Sequence, residues 1–109
     1  NPKTIRATMG SIYRVPFAIV EDIEEAIKAM KKAGIRTFAA HLDGKDYYDS
    51  FSFKEGTAFL IGNEGNGLKT STANAADAYL KIPMEGQVES LNAAIATSLL
   101  MYEAHRQRK

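Results

Sequence analysis

The sequence has no cysteine and no tryptophan among its 109 residues. The missing thiols exclude disulfides, Cys-based zinc sites and a cysteine nucleophile. They fit a reducing, cytoplasmic setting. No apolar run approaches the ~20 residues of a membrane span, so no membrane partner is expected. Charge of one sign is lacking too: a formal net charge of +1 provides no global basic field for nucleic acid. The opening Asn1-Pro2-Lys3 has neither an initiator Met nor a signal-peptide pattern, as expected for a piece of something longer. No repeat, linker or low-complexity segment divides the chain, and its length suits one domain.

What is present alternates. Residues 22–33, DIEEAIKAMKKA, put Ile23, Ala26, Ile27 and Met30 on one face at helical spacing. Asp22 is a good N-cap, Glu24 sits four residues before Lys28, and Gly34 follows as a stop. Residues 36–41, 57–62 and 78–84 (RTFAAH, TAFLIG and AYLKIPM) read as short strands, the last stopped by Pro83. Residues 42–57 read as a turn-rich stretch with a short edge element. Residues 67–76 open a helix, with Thr70, Ser71 and Thr72 as candidate caps. A last helix covers 89–106, where Leu91, Ile95, Leu99 and Tyr102 follow the helical period. Ala93, Ala94, Ala96 and Ser98 keep that helix slim enough to pack closely on a sheet or a partner. The N-terminal TIRATMGSIYRVP reads as a helix to near Tyr13, followed by a strand through FAIV, 17–20. The alternation predicts an α/β fold with a mostly parallel sheet flanked by helices.

The loop GNEGNGLKT, 62–70, admits several readings. A phosphate-binding G-x-x-x-x-G-K-[ST] loop fails because Leu68 intervenes before Lys69. A dinucleotide G-x-G-x-x-G fails because the glycines stand in the order G-x-x-G-x-G. Glu64 would also face a pyrophosphate with like charge. A cationic or phosphate-free ligand, such as a sulfonium cofactor, fits. So does a plain strand-to-helix turn whose glycines only supply positive φ. The second stretch, IPMEGQVESLN at 82–92, leaves a strand, turns at Gly86 and enters a helix. Glu89 and Ser90 are acceptable caps, but Asn92 is a poor helix-interior residue among small and apolar neighbours. Two glycine turns after two parallel strands fall at the carboxyl edge of the sheet, where ligands bind in such folds. His41 and His105 lie in neither stretch and read as ordinary surface or partly packed residues. The tail HRQRK, 105–109, reads as a solvated helix end.

FLIGNEGNGL (59–68) and IPMEGQVESLNAAIATSLLMYE (82–103) closely resemble the second and third motifs of the SpoU (TrmH-like) RNA 2′-O-ribose methyltransferases, of the SPOUT superfamily. The opening NPKTIRATMGSIYRVP resembles the segment that precedes those motifs. The resemblance implies an S-adenosylmethionine cofactor, a ribosomal or transfer RNA substrate methylated on a ribose 2′-hydroxyl, and no metal. It implies a deep C-terminal trefoil knot and a homodimer that packs through the last helix. Carried over position by position, cofactor contacts fall at Gly62, Ile82 and Leu91, and functional polar residues at Glu64, Ser90 and Asn92. With no phosphate to bind, the loop tolerates Glu64. The family's first motif, with an asparagine and an arginine, has no match here, and Arg6 and Arg14 belong to a later segment. Residues 1–109 are therefore expected to be the C-terminal portion of a longer enzyme, insufficient for the chemistry alone. A non-catalytic RNA- or protein-binding dimerisation module that kept the fold is the alternative.

Overall fold

The computed structural model describes residues 16–41, 44–62, 68–82 and 93–109. Helix α1 (Ile23–Lys32) starts where Asp22 accepts the Glu24 and Glu25 amides, at 3.0 and 3.3 Å. It ends at Gly34, whose φ of 81° is one that glycine adopts without strain. The Ile35 amide then donates back to the Met30 carbonyl at 2.9 Å. Ile27 is fully buried, but Ile23 at the helix start stays exposed. Lys28 pairs with Glu25 rather than with Glu24.

Strands β1 (Arg36–Ala40), β2 (Thr57–Leu60) and β3 (Ala78–Leu80) form a parallel sheet in the order β2-β1-β3. Phe38 lies beside Phe59 on one side and Ala78 on the other. Helix α2 (Thr70–Ala75) links β2 to β3, and α3 (Ala93–Gln107) follows. Lys69 occupies the N-cap of α2 without a side-chain bond, so Thr70, Ser71 and Thr72 are not its caps, and Thr72 is buried instead. The expected edge element between β1 and β2 is a 3-10 turn at Tyr48–Ser50 with a single bridge from Tyr47 to Lys81.

Both faces of β1 are covered, as a parallel strand requires. On one face Ala39 joins Ile27, Leu60 and Ala73 under α1 and α2. Leu68 packs against the same cluster, which gives the residue that spoils the phosphate-loop spacing an anchoring role. On the other face Phe38, Phe53, Leu80 and Leu100 are fully buried. Each large side chain so buried contributes about 1.5–3 kcal/mol.

Two expectations are corrected. Residues 17–20 form no strand: the segment is exposed, with Ile19 at 94% and Phe17 at 68%, and it pairs with none of the three described strands. The C-terminal tail is not simply solvated. Gln107 donates to the Phe51 carbonyl and accepts the Phe53 amide, and Arg108 donates to the carbonyls of Phe53 and Glu55. The expected helix that begins in TIRATMG and ends near Tyr13, and the path of 63–67 and 83–92, on which the expected knot depends, lie outside the described residues.

Candidate functional site

In a parallel sheet the strands end together. β2 exits through Ile61 and Gly62, β1 through His41, and β3 through Lys81 and Ile82. Two residues assigned to a ligand from sequence, Gly62 and Ile82, are thus brought to one edge of one sheet. Gly62 has no side chain, so a ligand can approach its backbone closely. Ile82 is half-buried and packs against the aromatic cluster, offering an apolar wall beside its backbone groups. That combination suits a nucleoside-like ligand recognised by main-chain groups. Glu64, Ser90, Leu91 and Asn92 lie outside the described residues.

Helix α3 is the last described element. Its last turn is bonded to residues 51–55, which lead into the start of β2. The helix therefore runs back along the sheet toward the amino edge, and Ala93 is directed to the carboxyl edge. Asn92 immediately precedes it in the sequence.

Sequence reading missed a third contributor to the edge, the segment after β1. The His41 amide donates to the Leu80 carbonyl at 3.0 Å. Lys81 donates its amide to Asp46 and accepts that of Tyr48, both at 2.9 Å. The His41 ring stacks on Tyr79 at 4.9 Å, and the Tyr79 hydroxyl donates to Asn74 of α2. Only Asp43-Gly44 hinted at this in the sequence, and as a plain turn.

Among the described residues, the two carboxylates with lowered pKa values lie elsewhere. Asp77 accepts the Thr37 amide at 2.8 Å and the Thr37 hydroxyl at 3.1 Å. The amide bond holds its pKa below the ordinary value, with Lys31 nearby at 3.7 Å. Thr37 is the second residue of β1 and Asp77 precedes β3, so this pair closes the amino edge. Glu103 is buried and bonded to Arg106 and Gln107, which lower its pKa to about 2, Arg106 most. Perturbed groups often mark functional sites, but these two are hydrogen-bonded within the scaffold, away from the ligand edge. Among the described residues no group of three or more His, Asp or Glu is placed to hold a metal ion, and no helix is long and apolar enough to cross a membrane.

The model of the SpoU rRNA methylase family matches residues 1–102. The chain belongs to the SpoU methylase family. It is 36% identical over 104 residues to an uncharacterized tRNA/rRNA methyltransferase of Archaeoglobus fulgidus, covering 95% of this chain and 46% of that relative. The SpoU methyltransferase AviRb from Streptomyces viridochromogenes, solved in complex with AdoMet, superposes with a TM-score of 0.85 at 34% identity. That likeness covers 99% of this chain and 45% of AviRb. A solved RNA 2′-O ribose methyltransferase matches with a TM-score of 0.84 at 30% identity, over 98% of this chain and 41% of its own. This SpoU chain thus spans less than half the length of these relatives, and its described parallel sheet and flanking helices are those of the family fold.

Proposed function

We propose that residues 1–109 serve, as the C-terminal portion of a longer enzyme, in S-adenosylmethionine-dependent methylation of a ribose 2′-hydroxyl of ribosomal or transfer RNA. The observation that carries this reading is that Gly62 and Ile82, each assigned to the cofactor from a different motif, follow the carboxyl ends of two parallel strands, β2 and β3, on either side of β1. AviRb with its bound AdoMet and the 2′-O ribose methyltransferase support the cofactor and the target atom. Backbone groups of Gly62, Ile82 and Leu91 hold the cofactor, in a trefoil-knotted arrangement of the two motif loops. When bound, the cofactor supplies a methyl group on a cationic sulfur. Ser90 and Asn92 position the ribose hydroxyl, and Glu64 shapes the loop by accepting backbone amides. The group that takes the hydroxyl proton comes from outside these residues.

The active assembly is a homodimer through α3. Ile95, Leu99 and Tyr102 are 52%, 38% and 70% exposed, while Ala96, Leu100 and Glu103 face the core. With Ala94 and Ser98 the exposed residues line a shallow hollow of about 410 Å³. An apolar helix face with small residues suits close approach of a second helix.

Calorimetric titration of the full-length chain tests the cofactor assignment. S-adenosylmethionine or its demethylated product binds, and ATP does not. ATP binding as tight as the methyl donor's, or no donor binding, contradicts the reading and favours the non-catalytic module.

A further inference from the structure

Gly44 lies within the segment that crosses the end of β3. It is buried, and its amide donates to the His41 carbonyl at 3.1 Å. A Cβ at this position would stand 3.0 Å from the Leu80 carbonyl carbon, 3.1 Å from its oxygen and 3.2 Å from the His41 oxygen. All three are backbone atoms; the Leu80 oxygen accepts the His41 amide that joins the two segments, and the His41 oxygen accepts the Gly44 amide. They cannot swing aside as the tip of a side chain would, and tightly packed backbone transmits a displacement. Two residues beyond Leu80 stands Ile82. A second hold acts on the same stretch, since the Lys81 ammonium sits over the Tyr47 ring at 5.7 Å.

We propose that Gly44 is a positioning residue of the methyl-donor site: its close approach to Leu80 sets where the Lys81–Ile82 backbone stands at the carboxyl edge. Gly44 touches no reacting atom and acts through Leu80 and Ile82. The proposal rests on the methyltransferase reading and adds to it a determinant outside both motifs. The donor is recognised through backbone groups, and backbone cannot re-orient as a side chain can. A displacement of a few tenths of an ångström in that wall therefore acts directly on donor affinity.

The test compares Gly44→Ala with Gly34→Ala in the full-length chain. Gly34 has a φ of 81° and open space around it, so its alanine strains the backbone far from the edge. Gly44→Ala is expected to weaken binding of S-adenosylmethionine, read by calorimetry, by at least about fivefold. In methylation assays on bulk ribosomal and transfer RNA, the KM for the donor rises with it and the KM for RNA stays within about twofold. Gly34→Ala lowers the melting temperature and leaves donor affinity at the wild-type value. A folded Gly44→Ala that binds the donor as wild type overturns the proposal. A wild-type chain that binds no donor overturns the methyltransferase reading instead, so the two failures are distinct. If Gly44→Ala does not fold, Tyr47→Ala takes its place by releasing the cover on Lys81: weaker donor binding with an unchanged KM for RNA supports the proposal, and wild-type donor binding counts against it.

Discussion

At the scale of single residues, Glu103, inside α3, and Asn92, just before it in the sequence, illustrate two kinds of polar group. Glu103 is buried and ionised, held by Arg106 at 2.7 Å and Gln107 at 2.8 Å. Its pKa is lowered from 4.5 to about 2, so the stability it supplies is complete above pH 4.5 and is lost as the pH falls toward 2. Glu103→Gln is expected to lower stability near neutral pH by about 1–3 kcal/mol, because charge-assisted hydrogen bonds are replaced by neutral ones. In urea melts the gap to wild type should close as the pH falls below 4.5, and a gap independent of pH contradicts this role. The contacts of the tail beyond Glu103 were hard to find in the sequence. The tail reads as solvated because the groups that Gln107 and Arg108 engage lie at residues 51–55, some fifty positions away, and only the fold joins them. Asn92 was legible for the opposite reason, as a local misfit in a helical pattern. Asn92→Ala should fold and bind S-adenosylmethionine as wild type, with methyl transfer slower by at least about tenfold, since a transition-state contact is read in kcat. If activity falls only as far as folding does, Asn92 is a packing residue.

At the scale of elements, the segments with local signals were legible. Asp22 and Gly34 bound α1 at both ends, and the glycine-flanked run 57–62 contains β2, which stops at Leu60. Residues 17–20 look equally strand-like by composition, yet remain exposed, because a β-branched apolar run becomes a strand only beside a partner. Helix α3 shows a different limit. Its conspicuous apolar stripe, Ile95, Leu99 and Tyr102, points outward, and the core takes the stripe of Ala96, Leu100 and Glu103. The sheet face beneath is filled by Phe38 and Phe53, whose rings meet edge to face at 5.1 Å, so small residues suffice above them. Periodicity finds both stripes and does not say which one faces the sheet. The outward stripe supports a dimer contact. Light scattering of the full-length chain should give a dimer, and Leu99→Arg should dissociate it without unfolding, since Leu99 is not part of the core. A monomer at high concentration overturns the dimer, and it leaves the stripe to be covered by further residues of the same chain.

At the scale of the whole molecule, one consequence of topology organises the rest. A parallel sheet places every strand exit on one side, so the ends of β2 and β3, about twenty residues apart in sequence, fall on the same side without a dedicated device. The amino edge is closed by Asp77 with Thr37 and by the α3 tail with residues 51–55, and these contacts are scaffold. The glycine loop and the step after Ile82 read as a candidate site because their residue types are odd for plain turns. The strap over β3 was not, because backbone hydrogen bonds between residues 41–48 and 80–81 leave no signature in side-chain chemistry. The most direct measurement follows the methyl group itself. The full-length chain is incubated with S-adenosylmethionine labelled on its methyl group and with ribosomal or transfer RNA, and the product is hydrolysed in alkali. A methylated 2′-oxygen cannot attack the adjacent phosphate, so the label is expected in an uncleaved dinucleotide. Label recovered in single nucleotides would place the methyl on a base and contradict ribose methylation, and no label in either RNA would contradict the account of this chain as part of an RNA methyltransferase.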